Sequence, residues 1–391
     1  MNVYAVISEF NPFHNGHAYL CRAVKERDSE AAVMAVMSGD FCQRGEVAII
    51  DKYARAEAAV RCGADLVLEL PAPWCFSGAE FFALGGVSVA AGTGVCKGIA
   101  FGSESGDADE LRLTAERLTS ELFIDECRRL RSLDKRANTA EIRAEAYASL
   151  FGATQLFSGS NNLLALEYIR AAGKIGADLD FVTVKRVGEA FNSDDLVGIC
   201  SASAIRSAAN RGLREFSNFM PEAAEMILRQ ELSEGRIFNM SQLEKAVFAT
   251  FITEAPETLE KFMEVDEGIA YRLCDAAVNS GNIDEMIDNA KNRRFSASRI
   301  RRAILSCLLK VHMSDAQRPP RFTCVLAANE TGREVLSLMR KNADIEVLSK
   351  LSDAKRLTGE AAKQYALHRR AERVAELCCQ GEPKKRGAVM V

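Results

Sequence analysis

The sequence predicts an α/β protein in which a parallel sheet covered by helices is followed by a mainly helical region and a small α/β lobe. Short apolar runs alternate with helical stretches as far as residue 187, and this alternation predicts βαβ units. The strand pattern then almost disappears until residue 322. A chain of 391 residues is long enough for such a division. We therefore predict segments 1–212, 213–318 and 319–380, with a mobile tail at 381–391.

Five apolar runs are expected to form the parallel sheet: residues 3–7, 32–37, 65–70, 96–101 and 181–187. Helices are predicted between them, beginning at residue 14 or 15 and then covering 52–62, 78–91 and most of 108–150. In such sheets the ligand lies outside the carboxyl ends of the strands. The segments that follow strands should therefore converge on one crevice: residues 9–17, 39–45, 102–105 and the stretch after 187.

The first turn carries the strongest chemical pattern. Asn11-Pro12 ends the first strand, and the helix that follows directs its free N–H groups and positive dipole end back at the turn. His14 and His17 lie on one face of that helix, and Gly16 lets a ligand approach the backbone. An anion such as a phosphate suits this turn. An ordinary structural turn fits the residues equally well, and a metal site is disfavoured because no third ligand is in view.

A second motif closes the first segment. Residues 199–206 read ICSASAIR, with Ser201 or Ser203 as the expected N-cap of a helix and Arg206 one turn in. Hydroxyls, a helix N-terminus and an arginine together suit a polyphosphate or a departing pyrophosphate. The alternative is a capped helix whose arginine is simply solvated.

Charge and composition exclude several classes. A net charge of −4 and a pI of about 5.8 argue against a general polyanion binder, so any nucleic-acid contact must come from a local patch. No signal peptide and no apolar run long enough for a membrane span are visible, so we expect a cytoplasmic protein that does not enter the membrane. The 12 cysteines include no CxxC pair, so buried thiols rather than a metal site are predicted.

The densest basic stretch lies in the helical region. Residues 291–302 hold six basic residues in twelve, together with Phe295, which could stack on a base. We predict RNA contacts from five arginines: Arg293, Arg294, Arg299, Arg301 and Arg302. The alternatives are a solvated basic helix face and pairing of these arginines with acidic helices. In the last segment, strands at 322–327 and 345–348 are predicted to flank a helix at 332–340.

Several strings together resemble a known family. FNPFHNGH resembles the HxGH signature of the nucleotidyltransferase superfamily, and SASAIR resembles the ISSTxIR-type motif that follows it. ISEFNPFHNGHAYL, MSGDFCQRGEVAIIDKYARAEAA, GADLVLELPAPW, GIAFGSES, SNNLLALEYIRA, VKRVG, RRFSASRIRRAIL and VLAANETGREVL occur in family order across almost the full length. The chain thus resembles the tRNA(Met) cytidine acetate ligase family. Ala165 departs from the glycine expected there.

The resemblance implies a Rossmann-like nucleotidyltransferase domain and an activity. The family adenylates acetate with ATP and transfers the acetyl group to the wobble cytidine of elongator tRNA(Met), giving N4-acetylcytidine, AMP and pyrophosphate. ATP is then the bound nucleotide, and Mg²⁺ is expected to arrive with it, because no acidic cluster here commits to holding it.

Site residues follow from the matching positions. His14, His17 and Arg206 are the implied catalytic residues. The implied ATP-binding residues are Ile7, Ser8, Glu9, Phe10, Asn11, Pro12, Phe13, His14, Asn15, Gly16, His17, Ala18, Tyr19, Leu20, Gly102, Asn161 and Arg186. Gln43, Arg44 and Lys52 are further candidates for the crevice, with a solvated surface arginine and a helix-opening lysine as the plainer alternatives.

Two other functions are compatible with parts of the sequence. A small-molecule adenylyltransferase would use the same HxGH and SASAIR elements, but it would not need the extra helical region with its arginines. A non-catalytic RNA-binding protein would have no reason to keep both histidines together with Arg206. The residues themselves do not fix the acyl group, the tRNA or the oligomeric state.

Overall fold

The computed structural model describes residues 1–185, 201–213, 215–384 and 386–391. Its strands are β1 (Asn2–Ser8), β2 (Ala31–Ser38), β3 (Leu66–Leu70), β4 (Cys96–Ser103), β5 (Asp180–Lys185), β6 (Phe322–Ala328), β7 (Glu346–Leu348) and β8 (Val389–Met390). They form one eight-stranded sheet in the order β5-β4-β1-β2-β3-β6-β7, and β8 pairs with β6. The predicted α/β class is confirmed. The fifth strand ends at Lys185, and residues 186 and 187 of the prediction lie outside the described residues.

The first five strands pair in parallel, and their apolar runs are covered on both faces. Every residue of β2 is buried, as expected for a central parallel strand without alternating polar positions. The helices that connect and cover these strands are α1 (Asn15–Arg27), α2 (Lys52–Arg61), α3 (Ala79–Gly92), α4 (Ala108–Arg117), α5 (Glu121–Leu133), α6 (Thr139–Phe151) and α7 (Ser160–Ile175).

The strand order creates a switch point beside β1. From β1 the chain proceeds to β2 and β3 on one side, and then crosses back to β4 and β5 on the other side. In doubly wound sheets the crevice opens where the winding direction reverses, at the carboxyl ends of the two strands concerned. The sheet therefore places the candidate site at the carboxyl ends of β1 and β4.

Helix α3 packs unusually close to the strand behind this crevice. A Cβ atom on Gly86 would lie 2.7 Å from Ile7 Cγ2, whereas a Cβ on Gly173 of α7 would meet no atom within 4 Å. Substituting Gly86 by alanine is expected to destabilise the protein by about 1–3 kcal/mol through overpacking. Alanine at Gly173 is the matched control and should not reduce stability, because alanine favours a helix. Urea unfolding of both variants tests this, and equal midpoints would contradict the close packing.

The helical region follows the crevice. Helix α8 (Ala202–Asn210) ends the first segment. The helices that follow it are α9 (Glu222–Ser233), α10 (Glu244–Thr253), α11 (Pro256–Leu259), α12 (Ile269–Val278), α13 (Ile283–Ala290), α14 (Ala297–Leu309) and α15 (Met313–Gln317). The predicted succession of helices agrees with this part of the structure, whereas the boundaries 1–212, 213–318 and 319–380 stay predictions. In the described part of the chain, no helix has both the length and the apolar character needed to cross a bilayer.

The C-terminal strands extend the same sheet. β6 runs antiparallel to β3 and pairs in parallel with β7, next to α16 (Glu330–Asn342) and α17 (Gly359–Glu376). The mobility of residues 381–391 stays a prediction, but the end of this tail makes contacts that the sequence did not indicate. β8 pairs with β6, and Arg386 forms ion pairs with Asp51, at 3.4 Å, and with Glu231. A two-residue strand and ion pairs to distant residues leave no local pattern in the sequence, which is why they were missed.

The cysteines behave as small core residues. Each described cysteine is a free thiol, and none is exposed. Burial raises the pKa of the Cys21 and Cys75 thiols to about 12. Such thiols stay protonated at neutral pH and are poor nucleophiles and metal ligands.

Candidate active site

A cavity of about 380 Å³ lies at the switch point. It is lined by the end of β1 and the turn after it, the loop between β2 and α2, and the first turns of α3 and α8. The ends of β4 and β5 and the first half of α7 complete it. Its volume is within the usual range for a small-ligand site. Of the four segments expected to converge, residues 9–17, 39–45 and 102–105 contribute to the lining, and most of the fourth lies outside the described residues.

The two histidines fix the start of α1. His14 is the N-cap, and its Nδ1 accepts a hydrogen bond from the Gly16 N–H at 3.0 Å. The His17 Nδ1 accepts from the His14 N–H at 3.2 Å, which completes a capping box. Because each Nδ1 accepts a backbone N–H, these contacts fit the tautomer that carries its proton on Nε2. Each histidine can therefore offer an Nε2–H donor.

Aromatic packing holds these rings in place. The two imidazoles stack with ring centroids 3.7 Å apart. The His17 ring also packs against Phe10 and Phe13, with ring centroids 4.9 and 5.4 Å away. Phe10 has a φ of 44°, a backbone conformation that residues other than glycine rarely adopt. Strain of this kind is found mainly where function requires an exact backbone path.

Arg206 connects the motif at residues 199–206 to the turn that carries the two histidines. Ser201 is the N-cap of α8, and its hydroxyl accepts from the Ala204 N–H at 3.2 Å. The guanidinium donates to the Asn11 carbonyl at 2.8 Å and forms an ion pair with Glu46 at 3.5 Å. Its side chain is only 19% exposed, so the solvated-arginine alternative is wrong. The N-cap prediction for Ser201 is confirmed.

The loop between β2 and α2 supplies polar groups to the cavity. Gln43 and Arg44 line it, as proposed from the sequence. The Gln43 N–H donates to the Glu9 carboxylate at 2.8 Å. Burial raises the pKa of Glu9, and this effect outweighs the opposing influence of Arg206 and of the Gln43 N–H.

Arg55 is a structural residue that the sequence reasoning missed. It is fully buried in α2, and its guanidinium donates to the carbonyls of Glu9, at 2.7 Å, Ser38, at 3.1 Å, and Gly39. It thus ties the ends of β1 and β2 together below the cavity. Its only local signal is a charged residue in the alanine-rich run KYARAEAAV.

The opposite side of the cavity is formed by β4, β5 and α7. Gly102 and Asn161 both line it, as the resemblance implies. The Asn161 Nδ2 donates to Glu104 at 2.7 Å, and the same carboxylate accepts the Asn162 N–H at 2.8 Å. Lys185 also lines the cavity and was not foreseen, whereas Arg186 lies outside the described residues.

The implied ATP-binding segment is only partly at the surface of the cavity. Ten of its residues line it: Ile7, Ser8, Glu9, Phe10, Asn11, His14, Gly16, His17, Tyr19 and Leu20. The other four lie outside the lining. Pro12 and Phe13 are buried in the turn, and Asn15 donates from its backbone to Phe219 O at 2.9 Å and from its side chain to Asn218 O at 3.1 Å. Ala18 is half-buried on α1.

Lys52 is not part of the cavity. It is buried, and its Nζ lies 2.7 Å from Glu69 and in contact with Glu372. It does open a helix, α2, which was the plainer alternative.

The five arginines of the basic stretch are all paired with carboxylates. Their partners are Asp134 and Glu141 for Arg293, Glu267 for Arg294, Glu264, Asp266 and Glu267 for Arg299, Glu46 for Arg301, and Glu264 for Arg302. Pairing with acidic residues was one of the alternatives. The role of these arginines in tRNA binding stays a prediction.

Carboxylates in the cavity are the side chains that could hold a metal ion. Among the described lining residues these are Glu9 and Glu46. Glu9 accepts the Gln43 N–H, and Glu46 is held by Arg206 at 3.5 Å and Arg301 at 3.2 Å. Mg²⁺ prefers carboxylates together with ligand phosphates. The described side chains of the cavity therefore do not form a complete set of Mg²⁺ ligands. They fit only a Mg²⁺ ion that is already bound to the phosphates of a ligand.

Comparisons with known proteins agree with this geometry. Residues 1–388 match the family model described as HIGH Nucleotidyl Transferase. The tRNA(Met) cytidine acetate ligase of Fervidobacterium nodosum is 36% identical over 94% of this chain and 88% of its own, and that of Syntrophomonas wolfei is 32% identical over 91% and 88%.

Solved structures give the same result. The crystal structure of Thermotoga maritima TmcAL in its apo form superposes with a TM-score of 0.92 at 31% identity, covering 100% of both chains. The form of that protein bound with alpha-thio ATP gives a TM-score of 0.90 at 31% identity, again covering 100% of both chains. The chain therefore belongs to the tRNA(Met) cytidine acetate ligase family of HIGH nucleotidyl transferases.

Proposed function

We propose that the protein is an ATP-dependent ligase that joins acetate to the wobble cytidine of elongator tRNA(Met), forming N4-acetylcytidine through an acetyl-adenylate. The observation that carries this proposal is the meeting of His14, His17 and Arg206 around one cavity at the switch point. Family membership over nearly the whole chain supports it, as does the ATP analogue bound by the Thermotoga maritima relative.

In the first half-reaction a carboxylate oxygen of acetate attacks the α-phosphorus of ATP. The bond from that phosphorus to the oxygen bridging the α- and β-phosphates breaks, and pyrophosphate leaves. Acetate needs no general base, because it is already ionised at neutral pH. The Nε2–H donors of His14 and His17 stabilise the charge that grows on the α-phosphate, and Arg206 neutralises the departing pyrophosphate.

In the second half-reaction the exocyclic amine of cytidine attacks the acetyl carbonyl. The new bond joins nitrogen to carbon, the bond from that carbon to the phosphate oxygen breaks, AMP leaves with that oxygen, and the amine releases one proton to water. The chain contributes mainly by positioning the two reactants, since a mixed anhydride is already activated.

Mg²⁺, when present, comes with the phosphates of ATP rather than from a protein cage, because Glu9 and Glu46 are already engaged. It would supply charge neutralisation. We place the reaction in the cytoplasm, where ATP and tRNA are available together.

The proposal predicts transfer of labelled acetate to tRNA. Purified protein incubated with ATP, labelled acetate and elongator tRNA(Met) should give N4-acetylcytidine after nuclease digestion. A tRNA whose wobble cytidine is replaced by uridine is the matched control and should remain unlabelled. Adenylation of a small acceptor with no label in the tRNA would favour a small-molecule adenylyltransferase and would contradict the proposal.

A further inference from the structure

We propose that a basic groove between α5, α6 and α7, here called the α5–α6 groove, binds the phosphate backbone of the tRNA. This inference rests on the proposed function. The groove has a volume of about 690 Å³, and its basic lining residues are Arg128, Arg131, Lys135, Arg143 and Arg170. Arg294 of the arginine-rich stretch also lines it but is paired with Glu267. The carboxylates in its lining are Glu80 and Glu267. Excess positive charge of this kind is what an RNA backbone recognises.

Charge balance favours this groove over the arginine-rich stretch around α14. The five arginines of that stretch meet six carboxylates, so their charge is neutralised within the protein. In the α5–α6 groove a single carboxylate, Glu167, serves both Arg143 and Arg170, at 2.7 Å each. The α5–α6 groove therefore keeps an excess of positive charge. The RNA contacts predicted from the sequence lie elsewhere, in residues 291–302.

Among the other cations of the groove, Arg128 is paired with Asp125 at 2.8 Å and Arg294 with Glu267, whereas Arg131 contacts uncharged acceptors. Arg131 donates to the carbonyl of Ala137 and, at 3.1 Å, to the hydroxyl of Thr139, and both of these acceptors are uncharged. Lys135 has an exposed side chain at the rim. These two residues thus supply local positive charge on a protein whose net charge is −4.

The groove adjoins the catalytic cavity. Ala79, the first residue of α3, lines the cavity, and Glu80, the next residue, lines the groove. On α7, Tyr168 faces the cavity and Arg170 the groove. The two spaces are separated by no more than the width of one helix, about 10 Å. An RNA held in the groove therefore has its neighbouring nucleotides within reach of the cavity.

The test removes charge from the groove and measures tRNA affinity over a range of salt concentrations. The double variant Arg131→Gln with Lys135→Gln should bind elongator tRNA(Met) more weakly, and its salt slope should fall by about two, one for each lost phosphate contact. Acetyl-adenylate formation without tRNA should be unchanged. A second variant, Arg128→Gln with Lys135→Gln, alters only exposed side chains and should show the same direction of change.

The matched control is Arg340→Gln with Lys341→Gln, which removes the same charge from two exposed positions in the last turn of α16. Its tRNA affinity and salt slope should equal those of the unaltered protein. Unchanged affinity in both groove variants would overturn the assignment. Displacement of the tRNA by polyglutamate at equal charge would also overturn it, because the groove would then bind anions in general. If the unaltered protein acetylates no tRNA, the proposed function fails instead, and the two failures are thereby distinguished.

Discussion

Replacing His17 by alanine is expected to reduce acetyl-adenylate formation about 100- to 1,000-fold, the usual cost of losing one donor to a developing negative charge. The His17 Nδ1 accepts the His14 N–H, and we propose that the Nε2 side of the same ring acts on the α-phosphate. Single-turnover assays with α-labelled ATP and acetate, without tRNA, measure this step. Affinity for tRNA should survive, because the groove proposed for the RNA is formed by other residues.

The control for this variant is His312→Ala. His312 is exposed and begins α15, so its loss should leave adenylate formation unchanged. A His17 variant that still forms the adenylate at the normal rate would show that the histidine only caps the helix.

Replacing Lys52 by methionine is expected to destabilise the protein by about 3–5 kcal/mol, because removing one partner of a buried ion pair leaves an uncompensated charge. Lys52 Nζ lies 2.7 Å from Glu69 and 3.9 Å from Asp40, and it also contacts Glu372. These residues join α2, β3 and α17, so the loss should appear in the global unfolding transition. Urea unfolding measures it, with Lys341→Met on exposed α16 as the control. Equal stability of the two variants would show that this cluster of buried charges, formed by Lys52 with Glu69, Asp40 and Glu372, does not stabilise the fold.

The same cluster gives a pH dependence with a defined sign. Burial opposes protonation of His368, but Glu69 and Glu372, each 3.4 Å away, outweigh it and raise its pKa well above the usual value of 6.5. The stability contributed by His368 is thus fully present below pH 6.5 and is lost as the pH rises through the folded-state pKa. Burial opposes ionisation of Glu372, but Lys52 and His368 hold its pKa below 4.5, so its contribution is present above pH 4.5 and is lost in acid. Unfolding free energies measured from pH 4 to 10 should decline towards alkaline pH, and the decline should be smaller in His368→Gln.

The candidate cavity was largely predictable because its determinants are local. A β-branched run, a breaker and a capped helix place His14 and His17 at a strand end, and SASAIR places Arg206 at another helix start. The rule that ligands lie at the carboxyl ends of parallel strands then brings them together. The contact of Arg206 with Asn11 confirms that inference.

The charged residues were harder to predict, because their partners are distant in sequence. Lys52 was a candidate for the crevice, yet it is paired with Glu372, which no local pattern connects to it. Arg301 was assigned to RNA from charge density, yet it contacts Glu46, which also holds Arg206. Sequence reports how many charges a segment carries, whereas the pairing that decides their free energy is fixed only by the fold.

We expect this cavity to activate acetate with ATP in the absence of tRNA. The most direct measurement is the exchange of labelled pyrophosphate into ATP by the purified protein without tRNA. We predict exchange that requires acetate and is lost in His17→Ala. Exchange that proceeds without acetate, or that persists in His17→Ala, would contradict the account.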